Sequence, residues 1–339
     1  VSVSVVLTVR NDAVGCATVL SSLASQTRQP DEIIIVDGGS SDATIPVIRQ
    51  FYTSLPQMRL MTTNGVNIAG GRNIGTRAAQ SSVIASIDAG CNARPDWLEN
   101  LIKPFEENKS VEAVAGYYEI ESSTLLERVV GLATMRGTLD PTNPATFNPS
   151  ARSMAFTKPL WHRTGGWPEW LGYSEDTLFD HKVRALGGHF EFASDAIVDW
   201  RPRTSFSAIA KQFFHYGTGR GHTQIDAAGY LYSIRNVVGL AILSVASIWS
   251  VWPMVAMIAA FSYYFVYANH RKAMAIAVKT KRSAAYVLTM LVMWTVTLGN
   301  CAGFIVGSWQ RWMDQEGYKL RLEMYLSDSG SMKATRASA

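Results

Sequence analysis

Residues 237–268 form a run of 32 residues without one charged side chain. A single bilayer crossing needs about 20 apolar residues, so this run argues against an ordinary soluble domain here. Its excess length, with Trp252-Pro253 near the middle, predicts a hairpin of two short helices or one long kinked helix. Proline removes a backbone donor and clashes with the preceding turn, which favours a break at that point. Residues 269–285 then read as a basic loop, carrying Arg271, Lys272, Lys279, Lys281 and Arg282. Residues 286–307 read as a further span, apolar except for Asn300. A basic loop prefers the cytoplasmic side.

The first 222 residues have a different texture. Short β-branched runs alternate with amphipathic segments. Strands are predicted over Val3–Val9, Glu32–Val36, Met58–Thr62, Val83–Ile87 and Val111–Gly116, and helices over Val14–Ser25, Ala69–Gln80 and Pro95–Glu107. Repeated strand–helix–strand units with continuous apolar strands predict an α/β fold, with a mostly parallel sheet covered by helices. The net charge of +4 over 339 residues is too mild to point to nucleic acid. Cys16, Cys91 and Cys301 are odd in number and far apart, so no disulfide or zinc framework is expected. The chain shows no signal peptide and no initiator Met, and Val1 already reads as strand, which allows an earlier natural start. The serine-rich segment beyond Ser327 is expected to be disordered.

Two strands end on carboxylates. Asp37 closes I-I-I-V-D and Asp88 closes I-A-S-I-D. In open α/β sheets, ligands bind beyond the carboxyl ends of the strands. A third acidic feature is S-E-D-T-L-F, which puts Glu175 and Asp176 at a predicted helix start. There the helix dipole favours negative charge.

The order of motifs resembles glycosyltransferase family 2 enzymes of GT-A fold, a Rossmann-like nucleotide-diphospho-sugar transferase fold. The resemblance covers roughly Val1 to His222. It rests on V-V-L-T-V-R-N-D, I-I-I-V-D-G-G-S-S-D-A-T, N-I-A-G-G-R-N-I-G, I-D-A-G-C, S-E-D-T-L-F and K-Q-F-F-H-Y-G-T-G-R-G. Within the family it is most similar to the membrane-attached, succinoglycan-biosynthesis type.

The resemblance implies the following roles. Thr8, Arg10 and Asp37 would hold the base and ribose of the donor nucleotide. Arg72 and Asn73 would lie at the diphosphate. Asp88 matches the first acid of the family's D-x-D and would bind Mg²⁺ or Mn²⁺ with the donor phosphates. The second acid is replaced by Gly90, and the following Cys91 is a soft ligand that suits Mg²⁺ poorly. Asp176 would be the general base and Glu175 its neighbour. Gln212, His215 and Tyr216 occupy the place of the Q-x-x-R-W motif of processive synthases, with His and Tyr replacing Arg and Trp. Gly217, Gly219, Arg220 and Gly221 would form a flexible basic segment, with Arg220 facing the leaving diphosphate. His222 is a candidate late metal ligand.

The implied activity is inverting transfer of a sugar from a nucleotide diphosphate to a hydroxyl of a lipid-linked saccharide. Its partners are the nucleotide sugar, that acceptor and membrane lipids. The alternatives are a polyprenyl-phosphate sugar synthase, a processive polysaccharide synthase and an inactive nucleotide-sugar binder. The implied organisation is a catalytic domain over 1–222, a membrane region over 223–307 with its hairpin at 237–268, and an interfacial or disordered tail over 308–339. Nucleotide sugars are cytosolic, so the catalytic part is expected on the cytoplasmic face of a multi-pass inner-membrane protein, with the tail on the other side.

Overall fold

The computed structural model describes residues 1–135, 149–188 and 190–327, apart from the side chains of Gln315 and Glu316. The expected disorder beyond Ser327 concerns residues outside the described ones. In chain order the elements begin β1 (Val3–Val9), α1 (Ala13–Ala24), β2 (Glu32–Asp37), α2 (Thr44–Gln50), β3 (Met58–Thr62), α3 (Ile68–Ala78), β4 (Val83–Asp88), β5 (Cys91–Ala93), α4 (Trp97–Glu107) and β6 (Ala113–Ile120). They continue with α5 (Leu125–Thr134), β7 (Met154–Thr157), α6 (Lys158–Thr164), α7 (Glu175–Ala185), β8 (Glu191–Trp200) and α8 (Phe206–Thr223). The last are α9 (Ala227–Ala246), α10 (Val251–Phe261), a π-helical stretch (Ser262–Tyr267), α11 (Ala268–Thr280), α12 (Ala284–Met313) and α13 (Gln315–Ser327).

The chain divides into two units. The first comprises residues 1–120, 136–201 and 320–339, and the second residues 121–135 and 202–319. Among the described residues, the first unit holds one sheet of eight strands in the order β3-β2-β1-β4-β7-β6-β8-β5. Strands β3, β2, β1 and β4 run parallel, as their continuous apolar runs predict. Strand β7 is antiparallel to both β4 and β6, and β5 is antiparallel to β8. The two sheet faces bury separate apolar clusters. One gathers Val5, Leu7, Ile33, Ile35 and Trp97 under α1 and α4; the other gathers Val6, Ile34, Val36 and Phe156 with Trp167 and Phe179. This placement matters for function. Because β2, β1 and β4 are neighbours and parallel, their carboxyl ends lie side by side, with Thr8 paired in register to both Val36 and Asp88.

The second unit is helical. Three helical stretches among the described residues are long and apolar enough to cross a bilayer: Ala227–Ala246, Val251–Thr280 and Ala284–Met313. The positions correct the expectation from charge alone. The hairpin turn is at residues 247–250, not at Trp252-Pro253. Pro253 sits in the first turn of α10, where a missing N–H leaves no intrahelical bond unmade. The basic stretch is mostly helix, since α10, the π-helical stretch and α11 run continuously to Thr280. The hairpin arms are therefore long. The first arm also starts earlier than residue 237, because Arg235 lies within α9.

The Gly217–Gly221 segment is also different from expectation. It is helical and packed rather than flexible. Helices α8 and α12 run parallel at backbone contact: a Cβ on Gly217 would come within 2.3 Å of the Asn300 carbonyl, and one on Gly303 within 2.0 Å of the Phe214 carbonyl. Small residues four apart let helix backbones approach this closely. Gly299, Gly303 and Gly307 on α12 and Gly217 and Gly221 on α8 are such rows.

Residues 320–327, expected in a tail away from the catalytic part, belong to the first unit. There the Tyr325 hydroxyl donates to the Gly166 carbonyl at 2.7 Å.

Candidate functional site

The loops after β1 and β2 are tied together. Asn11, in the left-handed region at φ 53°, donates its N–H to Ser40 Oγ, and its side-chain oxygen accepts from Ser41 N. Asp12 N donates to Thr44 Oγ1. Asp37 closes β2 with one oxygen, Oδ2, accepting from Gly39 N and Ser40 N. Its other oxygen, Oδ1, is buried without a hydrogen-bond partner. A buried carboxylate oxygen left unpaired is unfavourable, and it leaves an acceptor open to a donor from outside the chain. Thr8 lies at the end of β1 between Asp37 and Asp88, and Arg10 stands exposed just beyond it.

Arg72 is the centre of the site. It lies in α3 and is 3% exposed. One guanidinium nitrogen donates to Glu175 Oε1 at 2.7 Å and another to Asp88 Oδ1 at 2.7 Å. The guanidinium carbon sits 4.9 Å from the ring centre of Trp167. Trp167 in turn stacks on Phe179 at 4.3 Å, with the rings 20° apart. A strand-end acid and a helix-start acid, 87 residues apart in the chain by their numbers, are thus held by one cation. Burial and the neighbouring Asp176 push the Glu175 carboxyl above its ordinary value, against the pull of Arg72. The surrounding acids hold the Arg72 guanidinium in its charged form.

Helix α7 starts on Ser174, a non-glycine residue in the left-handed region at φ 66°, which makes no side-chain cap. Such backbone is a small store of strain. It turns Glu175 inward to Arg72. Asp176 is only partly buried, and its Oδ1 accepts from the N–H of Thr177 at 2.7 Å.

Asn73 has a different position from the one expected. Its amide donates to the Trp167 carbonyl and to Glu169, and its oxygen accepts from Trp161 Nε1 and Trp167 N. Both amide hydrogens and both lone pairs are used, so Asn73 braces the Trp167 segment and has nothing left for a nucleotide. Trp167 itself escaped the sequence reading. The available signal was the pair Gly165-Gly166 directly before an aromatic residue, both at positive φ.

Gly90, in place of the second D-x-D acid, also adopts positive φ, 81°. A carboxylate side chain there would be strained. Cys91 is fully buried in β5, with its thiol pushed up to about 12 by burial. It is a core residue and not a metal ligand. The described residues contain no group of three His, Cys, Asp or Glu that could hold a metal. Asp88, half-buried with one oxygen on Arg72, fits a cation only if other ligands complete the shell, as donor phosphates do for Mg²⁺.

The remaining candidates lie on α8, in the second unit. Gln212 donates to the Tyr216 hydroxyl at 2.8 Å, and Tyr216 is exposed. Burial and Lys211 push His215 below its usual value. Arg220 pairs with Asp226 at 3.3 Å. His222 is buried, hydrogen-bonded through Nε2 to Gln310 and stacked on Tyr318 at 4.2 Å. Its place is that of a helix-packing residue rather than a metal ligand.

The model of glycosyl transferase family 2 matches residues 4–163. Glycosyltransferase AglE of Haloferax volcanii is 25% identical over 252 residues, covering 71% of this chain and 79% of that protein. Validoxylamine A glucosyltransferase of Streptomyces hygroscopicus is 31% identical over 86 residues, 24% of this chain and 19% of that one. Among solved structures, a mannosyltransferase of Pyrobaculum calidifontis in complex with GDP-Man and Mn²⁺ superposes with a TM-score of 0.57 at 18% identity, covering 91% of this chain and 87% of its own. The matched stretch resembles a glycosyl transferase family 2 domain, and its fold is of GT-A type.

Arg72→Met is expected to lower stability by about 3 kcal/mol, because it strands a buried carboxylate. The loss should grow with pH. A carboxyl raised in the folded state contributes most below its unfolded value, and that contribution is lost as pH rises through the folded value. Without Arg72 the Glu175 carboxyl rises further. Thermal unfolding of variant and parent from pH 5 to pH 8 checks this: the gap should widen upward, and a gap independent of pH would contradict it.

Proposed function

We propose that this glycosyltransferase moves a sugar from a nucleotide diphosphate to a hydroxyl of a lipid-linked acceptor at a membrane surface. The observation that carries the reading is the Asp88–Arg72–Glu175 bridge with the partly exposed Asp176 beside it. Asp37 receives base or ribose donors at its free oxygen, with Thr8 and Arg10 on the adjoining strand end. Asp176 takes the proton of the acceptor hydroxyl. The hydroxyl oxygen bonds to the anomeric carbon from the face opposite the nucleotide. The bond from that carbon to the diphosphate breaks, and the nucleoside diphosphate leaves with the electron pair. A sugar hydroxyl is a weak nucleophile at neutral pH, and a positioned carboxylate typically contributes on the order of 10²–10⁴-fold.

Mg²⁺ or Mn²⁺ would be held by Asp88 together with the donor diphosphate and would neutralise charge there. The Pyrobaculum calidifontis mannosyltransferase carries GDP-Man and Mn²⁺, which supports a nucleotide diphosphate and a divalent cation here. Arg72 positions the two acids. Arg220, on α8, remains our candidate for the leaving diphosphate, and Gln212, His215 and Tyr216 for the acceptor side.

The three long apolar helices support membrane attachment, with the catalytic unit on the cytoplasmic face, where nucleotide sugars are made. The chain leaves the first unit after Arg201 and rejoins it at Leu320. This return supports an even number of crossings in between. We read α9 and α10–α11 as the crossing hairpin; α12, which covers the span expected over 286–307 and is long and apolar enough to cross, packs along α8, and we propose that it does not cross.

Asp176→Asn should abolish transfer while leaving donor affinity within a few-fold of the parent. Near-normal transfer by the folded variant would remove Asp176 from the role of base.

Donor affinity, measured calorimetrically with a panel of nucleotide sugars, should fall when Mn²⁺ is chelated and again in Asp88→Asn. Full activity in EDTA would contradict the metal assignment.

For topology, single cysteines at Ile248, Ser283 and Ser327 in a background lacking the native three can be labelled by an impermeant thiol reagent in oriented vesicles. Ile248→Cys should label from the far side, and Ser283→Cys and Ser327→Cys from the catalytic side. Ser283→Cys and Ser327→Cys labelling from opposite sides would mean that α12 crosses.

A further inference from the structure

The last eight described residues, Leu320–Ser327, return to the first unit and touch both supports of the acid site. The Tyr325 hydroxyl donates to the Gly166 carbonyl at 2.7 Å. Burial pushes this phenol well above its ordinary value, so it remains a donor at any physiological pH. The fully buried Lys182 donates to the Leu326 carbonyl at 3.2 Å and lies 5.8 Å from the Tyr325 ring centre.

Both contacts lead inward. Gly166 directly precedes Trp167, on whose ring the Arg72 guanidinium rests. The two peptides on either side of Gly166 are themselves fixed, by Gly166 N to the Trp161 carbonyl at 3.0 Å and by Trp167 N to Asn73 at 2.8 Å. Tyr325 closes the remaining side of this turn by filling its carbonyl. Lys182 is seven residues beyond Glu175 in α7, two helical turns along the same face. The segment therefore pins the Trp167 platform and the helix that presents Glu175 and Asp176.

We propose that Tyr325 is a positioning residue for glycosyl transfer, acting through Gly166–Trp167 on Arg72 and through the Lys182 contact on α7. It touches neither substrate nor reacting atoms. The consequence is a dependence of catalysis on a segment that follows α12. This segment completes the active domain, so a chain cut before Tyr325 keeps its acids but not their alignment. The inference rests on the reading of Asp176 as base, and that reading is judged separately by the Asp176→Asn variant.

The test uses the full chain in lipid nanodiscs. Steady-state kcat and KM for the donor, donor Kd and the thermal midpoint are measured for Tyr325→Phe, Tyr325→Ala and Lys182→Met. The Phe variant keeps the ring and loses only the hydrogen bond. Alignment of reacting groups is felt chiefly in kcat. The expected result is a kcat lower by roughly three- to tenfold in Tyr325→Phe and by more than tenfold in Tyr325→Ala, with donor Kd within twofold of the parent. Unchanged kcat in the folded Tyr325→Phe variant would overturn the proposal, whether or not Tyr325→Ala folds. So would a loss that appears as weakened donor binding with kcat intact. Activity lost in Tyr325→Phe but retained in Asp176→Asn would support the positioning role of Tyr325 and refute the base.

Discussion

Everything in the catalytic unit depends on one buried guanidinium. Arg72 is almost fully enclosed, yet it stays charged because two carboxylates face it at 2.7 Å each. Burying an ion is costly, and the cost is offset only by partners of good geometry. Arginine can meet that condition where lysine cannot, since its planar fork points donors in two directions at once and its face can lie on an aromatic ring. The result joins two distant stretches of chain, β4 and α7, at the end of the sheet where ligands bind. Neither acid is placed by local structure alone. Asp88 follows from strand order, Glu175 from a strained helix start, and Arg72 makes them one site.

The surroundings serve that bridge. Trp167 carries Arg72 on its ring and is braced on both peptide sides by Asn73. Tyr325 reaches the same turn from α13. An α/β sheet supplies a rigid frame because β1, at the centre of the parallel set, is buried on both faces, and a displacement there would open a cavity in one apolar cluster or the other. Helices α8 and α12 solve a different problem. They gain contact by bringing glycine rows together, which lets the two backbones approach closely.

Much of this was legible in the sequence where the physics is local. The strand runs Val3–Val9, Met58–Thr62 and Val83–Asp88 lie where β-branched residues meet turn formers. Asp37 and Asp88 could be placed at strand ends, and Glu175-Asp176 at a helix start. What could not be read was partnership. Nothing near Arg72 in the sequence names Glu175, and nothing in Asn73 reveals that Trp161 and Trp167 consume its amide. The hairpin's ends could not be read from charge, because absence of charge is a poor guide to helix ends: Arg235 and Arg271 both lie inside helices. Pro253 reads as a turn signal, although the first turn of a helix tolerates it equally well. The helical path through Gly217–Gly221 was masked by glycine's general dislike of helices, which close packing against α12 overrides.

The central claim is that Arg72 and Glu175 act as one unit in transfer. A double-mutant cycle on kcat/KM measures this directly, using Arg72→Met, Glu175→Gln and the double variant with one nucleotide sugar and one acceptor. If the two work as a unit, the double variant is no slower than the slower single variant, because the second change removes nothing that still functions. Losses that multiply, each single factor appearing in full in the double variant, would contradict the account.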